Sequence, residues 1–187
     1  MLEEAVPLIR SLLREERTTH EGKWFRTENA SCLPRPVQER LPIWIGGVGE
    51  QRTLRIAARE ADGWNAAYVP PDEFRRLNKV LDEWCDREGR DPSTIQRAIN
   101  LQFMLAPDDD SAARVKAQVE QQWGAMAPRV MAGGLTGTPD DAVERIAEYA
   151  DAGADALNVA LRAPWVPEAL DAWFDDVVPR ARAAAAT

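Results

Sequence analysis

The residues best suited to hold a ligand lie in one short run. Gly46, Gly47, Val48 and Gly49 follow an apolar stretch, and Arg52 and Thr53 open what reads as a helix. Glycines let backbone N–H groups come close to a phosphate, a helix N-terminus adds a favourable dipole, and Arg52 would neutralise the anion. The same residues also fit a tight turn in which glycine permits the bend and Arg52 is a solvated surface group. Asp62 follows Arg52 too closely to be the acid that completes a dinucleotide fingerprint, which falls about 20 residues on. It reads as a residue that fixes a turn. Asn65 and Asn158 are polar residues in segments otherwise suited to strands, where each would hydrogen-bond either a ligand or neighbouring backbone. Trp44 and Trp64 either wall an apolar pocket or fill the core. His20 is the only histidine, which leaves no HExxH zinc site and argues against a Ser-His-Asp triad. Asp108, Asp109 and Asp110 suit the start of a helix better than a metal. No catalytic side chain can be named from this inventory, and chemistry carried by a bound cofactor tolerates such poverty.

The elements that must position these residues follow from periodicity. Leu2, Val6, Ile9, Leu12 and Leu13 mark one face of an opening helix. From Thr18 to Leu41 the periodicity lapses into a long connection punctuated by Pro34 and Pro36. Pro42 to Gly47 reads as a short buried strand. Leu54, Ala57, Ala58 and Ala61 then keep helical spacing, and Asp62 to Asn65 turns into a second strand, completing a βαβ step. Pro71 and Asp72 open a helix with Phe74, Leu77, Val80, Leu81 and Trp84 on its inner face, closed by Gly89. Gln96 to Leu105 is the longest strand, with Ile99, Leu101, Phe103 and Leu105 on one alternation. A helix from Asp109 to Met126, a loose glycine-rich passage from Gly133 to Gly137 and a helix capped by Thr138 with Pro139 behind it come next. Asp155 to Leu161 supplies a fourth strand, Trp165 to Val178 a final helix, and residues 181–187 a fraying tail.

Four strands alternating with helices predict an α/β fold with a parallel sheet covered by helices. The chain opens with a helix that no strand precedes, and a whole eight-stranded barrel needs roughly 250 residues. The expectation is therefore the C-terminal half of a TIM-like (β/α)8 barrel, residues 1–187 forming one partial-barrel domain. Such an open sheet exposes unpaired backbone and apolar surface. That predicts a homodimer or another self-associated form, or a separate partner supplying the rest of the barrel.

Composition sets the outer bounds. The chain has 187 residues, of which 45% are hydrophobic, enough for a core. A net charge of -8 disfavours a nucleic acid or an anionic membrane as main partner. No apolar run reaches membrane-spanning length, and Met1, Leu2, Glu3, Glu4 do not begin a secretory signal. Cys32 and Cys85 have no knuckle spacing, so a reducing cytoplasm is expected.

A family likeness runs through these motifs. Leu33 to Gln38, Leu41 to Gly47, Leu54 to Arg59 and Ala61 to Asn65, with Gly89-Arg90-Asp91-Pro92 and Gly137-Thr138-Pro139 farther on, resemble the bacterial-luciferase-like family of flavin- or deazaflavin-dependent oxidoreductases. The likeness is read as covering the C-terminal part only. It implies a TIM-like barrel, often dimeric, and a small organic substrate. The leading expectation is a monooxygenase using reduced FMN with dioxygen. The alternatives are a hydride-transfer enzyme using the deazaflavin coenzyme and a non-catalytic half-barrel that self-associates. The resemblance favours the phosphate role for the glycine run, making Gly46, Gly47, Gly49, Arg52, Thr53 and Asn65 the expected cofactor residues. Trp44, Trp64 and Asn158 are expected at the substrate pocket. Where the family usually has an aromatic before Ala-Asp-Gly-Trp, this chain has Glu60.

Overall fold

The computed structural model describes residues 1–161 and 166–185. Trp165, the expected start of the last helix, and Ala186 and Thr187 of the expected fraying tail lie outside them. The described chain is a partial (β/α) barrel. Helix α1 (Leu2–Arg14) leads into an antiparallel pair, β1 (Thr18–Glu21) and β2 (Arg26–Ala30). Strand β3 (Trp44–Gly46), helix α2 (Thr53–Glu60), strand β4 (Gly63–Ala67), helix α3 (Pro71–Glu88) and strand β5 (Gln96–Leu105) then alternate. Helices α4 (Asp109–Trp123) and α5 (Ala127–Ala132) precede β6 (Gly134–Gly137), α6 (Pro139–Asp151), β7 (Ala156–Ala160), α7 (Pro167–Ala172) and α8 (Val178–Ala185). The main sheet has the order β3-β4-β5-β6, with β7 also paired to β5. Both β6 and β7 run parallel to β5, β7 along Ala98 to Gln102 and β6 along Gln102 to Leu105.

The four expected strands are β3, β4, β5 and β7. The glycine-rich passage that carried no periodicity forms the end of α5 and β6, a strand too short to alternate. The segment from Thr18, read as a connection, begins with the β1–β2 hairpin. Its strands are nearly all polar, so no alternation announces them. What holds it is Glu4 of α1, whose carboxylate accepts from the Phe25 N–H at 2.8 Å and the Trp24 N–H at 3.1 Å and meets His20 at 3.3 Å. Residues 181–185 continue α8 as helix.

The chain divides into two compact units, and β4 and α3 run through both. The first comprises Met1–Trp64 and Val80–Gln96. Its core includes Val6, Ile45, Leu54, Ala57, Trp64, Leu81 and Cys85, all buried. The second comprises Asn65–Lys79 and Arg97–Thr187. There Leu105 packs with Ala142, Ala169 and Val177, and Phe103 meets Trp173 edge to face at 5.8 Å. Tyr149, wholly buried, donates its hydroxyl to the Val69 carbonyl at 2.7 Å. Burial pushes this phenol up to about 12.

Candidate functional site

In the first unit the glycine run forms the turn from β3 into α2. Gly47 has φ +125°, a conformation that L side chains rarely adopt. Gly49 is held against the helix start, since a Cβ there would sit 2.9 Å from Thr53 Oγ1. Two indoles fix the turn. Trp64 Nε1–H donates to the Gly47 carbonyl at 2.7 Å, and Trp84 Nε1–H donates to the Glu50 carbonyl at 2.8 Å. In a trans peptide the C=O and the following N–H point in opposite directions. Drawing these two carbonyls onto the tryptophans therefore turns the N–H groups of Val48 and Gln51 away from them. Helix α2 begins at Thr53 with Arg52 as its N-cap residue and no side-chain cap, and the Leu54 N–H of its first turn donates to the Gly49 carbonyl at 3.0 Å. Arg52 is exposed and makes no ion pair among the described residues. The Val48 and Gln51 amides, turned from the indoles, and the unpaired Arg52 guanidinium form a set of donors suited to a phosphate.

The two tryptophans named from sequence separate to opposite faces. Trp44 is 41% exposed, and its ring lies where a Cβ on Gly63 would stand, 2.4 Å away, so glycine is required beneath it. It presents an apolar wall. Trp64 is 0% exposed and can wall no pocket. Its role is to fill the core and hold the turn, a correction that follows from strand alternation, which sends neighbouring positions to opposite faces.

In the second unit the sheet carries a row of amides. Along β5, Leu105 and Phe103 face the helices, so Asn100 and Gln102 occupy the other face, which in a (β/α) barrel is the interior. Asn100 stands opposite Asn158 in register, and Asn158 Nδ2 donates to Asn65 Oδ1 at 3.4 Å. Asn100 Nδ2 donates to the Tyr68 hydroxyl at 3.1 Å. Gln102 is 5% exposed, and its Oε1 is buried without a hydrogen-bond partner. A buried amide oxygen costs on the order of 1–3 kcal/mol when left unpaired, so it marks a place where a donor is wanted. Beyond Gln102, Met104 packs on Val119, Ala127 and Val130, so α4 and α5 cover that end of the face. Tyr68 has φ +55°, and Gly133 passes so close that a Cβ would lie 2.6 Å from its carbonyl oxygen.

Asn65 and Asn158, expected from sequence, are thus brought together with Asn100, Gln102 and Tyr68, which sequence reasoning missed. The signal was present in β5: Asn100 and Gln102 alternate with the apolar residues that define the strand. The expected phosphate residues Gly46, Gly47, Gly49, Arg52 and Thr53 lie within eight residues, from the end of β3 to the start of α2, in the first unit. Among the described residues no group of His, Cys, Asp or Glu is arranged to hold a metal ion, and no helix is long and apolar enough to cross a membrane.

Comparison with known proteins decides the family. The sequence profile of the luciferase-like monooxygenase family matches residues 1–156. The chain belongs to this family. The expected limit of the likeness to a C-terminal part is corrected by the match, which begins at residue 1 and takes in α1 and the hairpin, elements whose generic helical and polar residues carry no motif of their own. An F420-dependent glucose-6-phosphate dehydrogenase of Intrasporangium calvum is 32% identical over 97% of this chain and 60% of its own length. Among solved structures, an F420-dependent secondary alcohol dehydrogenase in complex with an F420-acetone adduct superposes with a TM-score of 0.79 at 18% identity, covering 96% of this chain and 60% of that one. The EDTA monooxygenase of Chelativorans sp. BNC1 gives 0.72 at 18% identity, covering 97% and 58%. These structures show the shared fold. The chain spans about 60% of the length of these relatives.

Proposed function

We propose that the chain serves a deazaflavin-dependent oxidoreductase that moves a hydride from a carbinol carbon or, in reverse, to the corresponding carbonyl carbon. The observation that supports the cofactor site is the turn in which two indoles hold the Gly47 and Glu50 carbonyls; trans peptide geometry then turns the Val48 and Gln51 amides from the indoles, with exposed Arg52 close by in sequence. Gly46, Gly47, Gly49 and Thr53 form the cradle, and Arg52 supplies the charge. That turn would take the phosphate of FMN as readily as that of the deazaflavin coenzyme. The relatives support the deazaflavin over the FMN monooxygenase: several similar proteins are named F420-dependent glucose-6-phosphate dehydrogenases.

When bound, the coenzyme supplies a two-electron hydride acceptor or donor, and the residues of the chain bind, orient and exclude water. Asn65, Asn100, Gln102 and Asn158 offer amide donors and acceptors that suit substrate hydroxyls, Gln102 Oε1 being a buried acceptor in need of one. For carbinol oxidation the bound coenzyme would supply the hydride acceptor and solvent would take the hydroxyl proton, so the balance would require no dioxygen. Trp44 offers an apolar wall at β3.

A second copy of the chain is part of the proposal. Strand β3 stands at the end of the sheet order, and its Trp44 is half-exposed, a surface that association covers. Light-scattering mass across a dilution series tests this, with a stable monomer as the contrary result. For the reaction, the purified chain is mixed with oxidised deazaflavin coenzyme and secondary alcohols or sugar hemiacetals under anaerobic conditions, following loss of coenzyme absorbance. Substrate-dependent reduction supports the reading. Product formation only with reduced FMN and dioxygen overturns it.

A further inference from the structure

The first unit carries a basic cleft in a chain whose net charge is -8. It lies at the start of the strands, at the opposite end of α2 from the glycine turn, and measures about 430 Å³. Arg10, Arg14, Arg40, Arg59 and Arg90 line it, together with the carboxylates of Glu60 and Asp62. Five guanidinium groups against two carboxylates leave an excess of three positive charges facing one space.

The carboxylates are already engaged. Asp62 accepts from the Ile43 N–H at 2.8 Å, from Arg10 at 3.3 Å and from Arg40, while Glu60 is paired with Arg59 at 3.0 Å. Some of the arginines do structural work as well. Arg10 donates to the Glu60 carbonyl and Arg90 to the Ala58 carbonyl at 3.1 Å, so the two satisfy the last carbonyls of α2. That role does not account for all the charge. Arg90 otherwise meets only Thr94, and the Arg14 side chain has no carboxylate partner among the described residues. The C-terminal end of α2 is negative by its dipole and would itself repel an anion, so the arginines would have to outweigh it. Planar guanidinium forks match phosphate oxygens two at a time, and the volume falls in the range of small-molecule sites.

We propose that this cleft binds a multiply charged phosphate compound, of the class of a diphosphate, at a site separate from the glycine turn. Arg14, Arg40 and Arg90 make the contacts, while Arg10 holds Asp62 back from the anion. The probe is inorganic pyrophosphate, titrated calorimetrically into the chain at low chloride. Arg52→Ala removes any contribution of the glycine turn, and Arg14→Glu with Arg40→Glu removes that of the cleft. Saturable binding should persist in Arg52→Ala and weaken about a hundredfold in the double variant, one factor of about ten for each charge-assisted contact. Arg14→Ala alone, on an exposed side chain without a partner, should weaken it about tenfold and serves if the double variant misfolds by circular dichroism. Absence of saturable binding, or binding that Arg52→Ala abolishes and Arg14→Ala leaves unchanged, overturns the proposal.

Discussion

Replacing Trp64 by Phe tests how the glycine turn is held. The indole is fully buried and donates at 2.7 Å to the Gly47 carbonyl. Phe keeps most of the apolar ring and deletes the donor. Leaving that carbonyl without a partner costs about 1–2 kcal/mol. The space vacated by the lost ring atoms, a few tens of Å³, adds about 1 kcal/mol at roughly 24 cal/mol per Å³. The expected loss is therefore about 2–3 kcal/mol. For a chain of this size that is a fall in Tm of about 5–10 °C. Urea denaturation should show a lower midpoint with an unchanged slope, since the surface exposed on unfolding is nearly the same. Cofactor affinity should fall as well, by about threefold to tenfold, because the peptide plane carrying the Val48 N–H is no longer fixed from behind. A loss of stability below about 0.5 kcal/mol, the range of an ordinary surface substitution, would refute the role of the hydrogen bond. Full destabilisation with unchanged cofactor affinity would show that the indole fills the core without orienting the turn.

Three further outcomes follow from other residues. Gln102→Leu removes a buried oxygen that has no partner, so it should leave the chain as stable or up to about 1 kcal/mol more stable while turnover falls; thermal denaturation and the anaerobic assay measured together check this. Burial would raise the carboxyl pKa of Asp62, but the Ile43 N–H and the Arg10 and Arg40 charges outweigh it and hold it below its usual value. Its contribution to stability is complete above the unfolded pKa of about 4 and is lost as pH falls through the lower folded value, so Asp62→Asn should lower stability at neutral pH and flatten the acid limb of a stability profile. Tyr149→Phe should cost about 1–2 kcal/mol by leaving the Val69 carbonyl unpaired, as thermal denaturation would measure, and burial of the Tyr149 phenol, which pushes it up to about 12, predicts that the folded wild-type chain has one tyrosine more than the variant titrating at the high end of an ultraviolet pH profile.

Much of the barrel was legible in the sequence because its elements announce themselves by local chemistry. The run from Pro42 to Gly47 is apolar and ends in glycine, and it forms β3; the spacing of Leu54, Ala57 and Ala58 gives α2. Thr138 and Asp141 form a capping box at α6, whose first residue is proline. What escaped notice depends on contacts distant in sequence. The hairpin strands are polar and acquire their place from Glu4, which no periodicity reveals. The expected helix from Asp109 ends as α4 at Trp123, where Gly124 takes φ +50° and a short turn leads into α5. In the candidate site, the consecutive glycines could be read directly, because a turn and its ligand donors come from one stretch of chain. The amide row could not, since Asn65, Asn100 and Asn158 come from three strands and meet only through sheet register. Trp64 suits a core more often than a pocket wall, and its full burial in β4 places it in the core.

The most direct test of the account is an equilibrium titration of the chain with deazaflavin coenzyme and with FMN, followed by cofactor fluorescence, in parallel with Arg52→Ala and with added inorganic phosphate. The account predicts saturable binding, tighter for the deazaflavin, weakened about tenfold by loss of the arginine and competed by phosphate. No binding of either cofactor, or binding indifferent to both Arg52 and phosphate, would contradict the claim that the glycine turn is the phosphate end of a cofactor site.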